Sequence, residues 1–192
     1  MTRTRKHKLL FIHIPRTAGR SISAALRREL DGTKVAWEHA KLKDANFNIR
    51  PYTKFCVVRN PWERLVSQWR YLIQEKKTYE PRNGHRRKVF ELSEKSFSWW
   101  LINHGKKSHN IVTSDTPQFS WMTKSGKFAM DHVIRFENLV EGFCGVTGLP
   151  ADTLPITHKT EHNEYQKYYD KASREFVKRV FARDIKMWGY KF

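Results

Sequence analysis

The sequence predicts an α/β protein with a central, mostly parallel sheet flanked by helices. Three observations carry that expectation. Residues 9–14 form a short apolar run followed by a helical repeat, and residues 54–58 form a second apolar run followed by another repeat. The third observation is length: 192 residues suffice for a substantial core without disulfides or metal staples, so one domain over residues 1–192 is expected.

Taken in order, residues 1–8 are basic and expected to be flexible. The run at 9–14 is stopped by Pro15 and fits a buried parallel strand. Ile22, Ala25, Leu26 and Leu30 then recur at helical spacing until Asp31 and Gly32 break the pattern. Val35, Ala36 and Trp37 suggest a short strand with Glu38 and His39 at its C-terminal end. After the strand at 54–58, Asn60, Pro61 and Glu63 supply an N-cap, a first-turn proline and a third-position acid, which predicts helix initiation at Pro61. Leu65, Trp69, Leu72 and Ile73 make one stripe of that helix, and Ser67 lies roughly 200° from Leu65, outside it.

The polar, basic segment at about 76–95, with Pro81 and Gly84, predicts a surface loop. Phe97, Trp100 and Leu101 suggest a helix, and residues 131–136 a strand leading into a helical start at 137–139. Phe176, Val177, Val180, Phe181 and Ile185 predict a C-terminal amphipathic helix capped by Asp170 or Ser173.

Composition narrows the function classes. Hydrophobic residues make up 39% and aromatics 14%, which separates the chain from disordered sequences. Lys and Arg number 37 against 19 acidic residues, and the resulting charge of +18 favours anionic partners. Nucleic acid, an anionic membrane surface, an acidic glycan and a charged nucleotide all meet that condition. Two cysteines, Cys56 and Cys144, make no disulfide framework, so a reducing compartment is the simpler expectation. The apolar stretch after the basic N-terminus is too short for a signal peptide, and no apolar segment approaches the ~20 residues needed to span a bilayer. A soluble, cytoplasmic or similar location is therefore expected.

Both strand-to-helix junctions have anion-binding chemistry. Around Pro15, the residues Arg16, Thr17, Ala18, Gly19, Arg20, Ser21 and Ile22 combine small side chains, hydroxyls and two guanidinium groups at a helix start. The Walker A pattern is absent, and a basic turn that merely caps a helix remains the alternative. At the second junction Arg59 follows the strand, and Asn60, Arg64 and Ser67 share a helical face, which suits a phosphate monoester. The alternative is that Arg64 and Ser67 form a solvated face.

The stretch Phe11-Ile-His-Ile-Pro-Arg-Thr-Ala-Gly-Arg-Ser21, together with Phe55-Cys-Val-Val-Arg-Asn-Pro-Trp-Glu-Arg-Leu-Val-Ser-Gln-Trp69, resembles the paired motifs that bind 3'-phosphoadenosine 5'-phosphosulfate (PAPS) in the sulfotransferase superfamily. It is most similar to the carbohydrate and heparan 2-O-sulfotransferase-type branch. Gln118, residues 133–139, Tyr168 with Tyr169, and residues 184–190 resemble that branch in order and spacing.

The resemblance implies a P-loop-like nucleotide-binding fold and sulfuryl transfer from PAPS to a hydroxyl or, less readily, an amine. Residues Arg16 to Ile22 would hold the 5'-phosphosulfate, and Arg59 and Ser67 the 3'-phosphate. Arg16 would also act in catalysis at the leaving group, though the family usually carries lysine there, and the exchange replaces a point donor with a fork. His39 falls where the 2-O-type relatives carry a general base; Glu38 is its rival, and an exposed loop histidine is the alternative. An acidic glycan is the favoured acceptor class.

No metal is expected: His158 and His162 have helical pair spacing but no evident third ligand. His13 is expected to be a packed core histidine. Three other functions compete. A nucleic-acid module would need a reader motif, none of which is present. A P-loop kinase would need a Walker lysine, and the third rival is a relative that binds PAPS without catalysing transfer.

Overall fold

A computed structural model describes residues 1–78, 95–104, 116–154 and 165–192. The chain divides into two compact units, Met1–Arg59 with Gln118–Lys159, and Asn60–Pro117 with Thr160–Phe192.

The first unit is the α/β part. Its strands are β1 (Thr2–Thr4), β2 (Leu9–Ile12), β3 (Thr33–Lys34), β4 (Thr53–Val58), β5 (Thr123–Lys124), β6 (Lys127–Phe128) and β7 (His132–Arg135). Five of them form one sheet in the order β3-β1-β2-β4-β7. β2 and β7 pair parallel with β4, with Phe11 opposite Phe55 and Val57 opposite Ile134. β1 pairs antiparallel with both β2 and β3. The sheet is therefore mixed rather than mostly parallel. The reason lies in residues 1–8, which are not a flexible tail: Thr2 and Thr4 are buried along β1, and Arg5 to Lys8 make the exposed turn of a hairpin with β2. Threonine is β-branched and suits a strand, but its polarity hides the alternation that an apolar strand displays.

The short strand expected at 35–37 lies instead at Thr33–Lys34, as β3. β5 and β6 form a separate hairpin whose two-residue turn, Ser125 and Gly126, takes positive φ at both positions.

Helix α1 (Gly19–Glu29) buries Ile22, Ala25 and Leu26, as their spacing predicts. These residues join Leu9 and Phe11 of β2, Phe55 and Val57 of β4, and Ile134 of β7 in one core. Helix α4 (Leu139–Thr147) adds Phe143 to it. The Phe11 and Phe55 rings pack at a 38° tilt, with 5.1 Å between ring centroids. Leu10, Ile12, Cys56 and Val58, on the opposite face, are equally inaccessible, so β2 and β4 are covered on both sides.

The second unit is helical where described: α2 (Pro61–Thr78), α3 (Phe97–His104), α5 (Lys171–Val180) and α6 (Ala182–Trp188). α2 begins at Pro61, and the Asn60 side chain accepts from the Trp62 N–H at 3.0 Å, so the predicted cap forms. α2 also continues into the segment expected to be a loop from about residue 76. The remainder of that segment, including the basic run 82–88, and His158 with His162 lie outside the described residues.

The first two turns of α2 are buried all round, including the side assigned to solvent. Arg64 is fully inaccessible and donates to the Thr116 carbonyl at 3.2 Å, and Ser67 is 5% exposed, so neither belongs to a solvated face. Phe97 packs against Trp69, Tyr168 and Tyr169, and the Tyr169 hydroxyl donates to the Trp62 carbonyl at 2.8 Å. These tyrosines thus serve packing within the unit.

The predicted C-terminal helix is two helices that meet at Phe181. Asp170 caps α5, accepting from the Ser173 N–H at 2.8 Å, while the Ser173 hydroxyl lies 3.1 Å from the Asp170 N–H.

The Ser173 backbone and hydroxyl bonds hold the Asp170 carboxyl below its ordinary pKa, so the cap stabilises at neutral pH and fades as pH falls through the folded-state pKa. Asp170→Ala should lower stability by about 1 kcal/mol at pH 7, a melting shift of roughly 2–4 °C, and the gap to wild type should narrow on acidification. Thermal unfolding of both proteins across the acidic range measures it.

Candidate functional site

The candidate site is built at the end of β2, within the first unit. After Ile12 the chain turns through residues 13–18 and enters α1. Thr17 is buried and its hydroxyl donates to the Ile14 carbonyl at 2.8 Å, pinning the loop to the strand end. Arg16 and Ala18 on either side of it have φ of 66° and 62°, left-handed values that are uncommon for non-glycine residues and cost free energy unless the surroundings enforce them. Ala18 is the N-cap of α1 and supplies no side-chain cap, and no acidic residue occupies the first turn. The positive end of the helix dipole is therefore not neutralised by a carboxylate of the helix's own first turn.

Gly19 has a steric reason to be glycine. The Cδ2–Nε2 edge of the buried His13 ring rests against its Cα, and an added Cβ would fall inside that ring. His13 in turn packs edge-on to His39, with ring centroids 4.5 Å apart. Its Nδ1 lies 3.5 Å from Glu38 Oε1, a distance that alone suggests an ion pair. Burial decides otherwise: desolvation first, then the neighbouring His39 and cationic groups, lowers the His13 pKa to about 2, so the ring is neutral. The expected core histidine is thus also the spacer between helix α1 and His39.

His39 sits in the turn after β3 and is half-buried. Its Nδ1 is 3.4 Å from the His13 carbonyl, which favours the tautomer with hydrogen on Nδ1 and a lone pair on Nε2. Its own carbonyl accepts from the indole N–H of fully buried Trp121 at 3.1 Å. The exposed-loop alternative therefore fails for His39. Burial lowers its pKa, against the opposing pull of the His13 carbonyl and Glu38. Glu38 is exposed, and its Oε1 lies 3.8 Å from Arg20 Nε, a surface pair of small energetic consequence.

At the end of β4, adjacent and parallel to β2, Arg59 is buried. Its guanidinium donates to the Arg16 carbonyl at 3.4 Å and lies 4.3 Å above the Phe136 ring. Fully buried Gln118 accepts from the Arg59 N–H and donates to its carbonyl, both at 2.9 Å.

Residues 13–22, Glu38, His39 and Arg59 are therefore gathered at one end of the sheet. Ser67 belongs to the second unit. Three contributors escape sequence reasoning: His13 as a spacer, Phe136 beneath Arg59, and Gln118 as a backbone clamp. Gln118 and Phe136 are marked in the sequence only through the resemblance, and His13 only as a core residue.

A family model described as the Sulfotransferase family matches residues 1–191. The chain belongs to the sulfotransferase family. No curated protein and no solved structure matches it. Sulfuryl transfer is the family's chemistry, and the cationic, uncapped helix start in this sulfotransferase suits an anionic donor.

In the sulfotransferase, Gly19→Ala should cost about 1–3 kcal/mol by overpacking, because His13 has no room to retreat. His13→Ala should relieve part of that cost, making the double variant more stable than the sum of the singles. Denaturant unfolding of the four proteins tests the coupling.

Proposed function

We propose that this sulfotransferase moves the sulfuryl group from PAPS to a hydroxyl, less readily an amine, with a carbohydrate of the type used by the 2-O branch as acceptor. The observation that supports this reading most is the placement of His39 beside the start of α1, through His13. A base lone pair and an anion-binding helix end then share one small volume.

In this reading the Arg16–Ile22 segment holds the 5'-phosphosulfate through backbone N–H groups and the Arg16 side chain, and Arg59 and Ser67 hold the 3'-phosphate, as the motif resemblance implies. The acceptor oxygen attacks sulfur as the bond from sulfur to the bridging phosphate oxygen breaks, and the acceptor proton passes to Nε2 of His39. Cationic groups stabilise the charge that develops on the departing phosphate, and positioning supplies much of the remaining acceleration. Glu38, beside His13 and Arg20, is the alternative base. The high net charge of +18 favours an acidic glycan over a neutral one.

The substitution of Arg16 for the lysine usual in the family supports a second reading, a relative that retains nucleotide binding with impaired transfer.

Thermal-shift titration with 3'-phosphoadenosine 5'-phosphate, ATP and an oligonucleotide should show selective stabilisation by the first; equal responses would refute the donor assignment. Arg59→Ala should weaken that binding roughly 10- to 100-fold, and Ser67→Ala more modestly. His39→Ala should keep donor binding and lower transfer by about 100-fold or more. Because burial lowers the His39 pKa, the neutral base persists into more acidic solution than free imidazole. Transfer should therefore be level around pH 7 and fall on acidification at a lower pH than that at which free imidazole titrates. Donor binding without transfer in the wild type would favour the second reading.

A further inference from the structure

Among the described residues, His13, Glu38 and His39 present ligand atoms that all lie within 4.8 Å of one another. Two imidazoles and a carboxylate are the donor set of a borderline divalent cation such as zinc, whereas magnesium and calcium prefer oxygen. Bonds of about 2.1 Å at tetrahedral angles put neighbouring ligand atoms about 3.4 Å apart, and His13 Nδ1 and Glu38 Oε1 already stand at 3.5 Å. Glu38 is exposed enough to adjust its rotamer.

We infer that His13, Glu38 and His39 form a binding site for a zinc-class divalent cation, and that occupancy blocks the proposed base.

The three side chains are unevenly prepared for this role. His13 is held by packing against Gly19, so its Cδ2–Nε2 edge faces the helix and its Nδ1 faces Glu38. His39 has the outer contact that metal-bound histidines commonly show, since Nδ1 faces a backbone carbonyl and Nε2 is left to ligate. Three protein ligands leave a fourth position open to water. Arg20 lies close to Glu38, and the positive field of the chain opposes a cation, so the site binds more weakly than a closed structural zinc site. The lone pair that would bind metal is the one proposed to take the acceptor proton, so metal and catalysis exclude each other. The blocking role rests on His39 being the base; the binding itself does not.

Cobalt is the direct probe, because a tetrahedral Co2+ site absorbs visible light. Tag-free protein titrated with Co2+ should develop a saturable visible band at one equivalent per chain, and Zn2+ should displace it. His39→Ala and Glu38→Gln leave His13 itself and its contact with Gly19 in place and should each weaken cobalt binding about tenfold or more. No saturable band, or a band undiminished in both variants, would overturn the site, while the base reading would still stand or fall on its pH profile. Zn2+ should also inhibit transfer over the same concentrations at which it displaces Co2+. Binding without inhibition would overturn the blocking role and count against His39 as the base.

Discussion

Much of the site depends on the contact between His13 and Gly19. β2 delivers a histidine to the loop rather than another aliphatic residue, and α1 begins with the one residue that leaves room for it. That contact fixes where the helix starts, keeps an imidazole out of water, and sets the distance at which His39 packs. A larger residue at position 19 would push α1 away from the sheet and separate the turn at residues 13–18 from the groups beside it. The left-handed backbone at Arg16 and Ala18 fits this picture: conformations that are costly alone persist because the strand end, the buried Thr17 hydroxyl and the His13 ring leave few alternatives.

The parallel pairing of β2 and β4 supplies the second constraint. With Ile12 opposite Cys56, both strands end at the same side of the sheet, so the turn after one and the arginine after the other are brought together. The core that enforces this register is aromatic and aliphatic on one face and equally buried on the other, and a one-residue slip would exchange the two faces. The geometry of the site is thus a consequence of strand packing, on which the loops then build.

Wherever one apolar period dominated, the sequence was legible. β2, β4, α1 and the start of α2 appear where their residues predict them, and the capping residues Asn60 and Asp170 act as their chemistry suggests. Polar strands were harder to read. β1 is built on buried threonines and β3 on two exposed residues, so neither announces itself by hydrophobic alternation. The burial of Arg64 and Ser67 was equally hidden, because helical phase says which residues share a face but not what covers it. The loop at residues 16–22, Arg59, Glu38 and His39 were marked by residue type and by resemblance. Their coupling through His13 was not, since it joins residues distant in sequence through a ring that periodicity assigns only to the core.

Gln118 shows how a side chain can stand in for a strand. Beyond Val58 the ladder between β4 and β7 ends, and a primary amide then offers Arg59 the same donor and acceptor pair that a neighbouring peptide would. The sheet is in effect lengthened by a single borrowed rung. Its chemistry is unforgiving: a glutamate in that place lacks the donor for the carbonyl, and an asparagine is a methylene shorter. An arginine at the rim of the site is thereby aimed with the rigidity of a sheet interior, although it lies outside any strand.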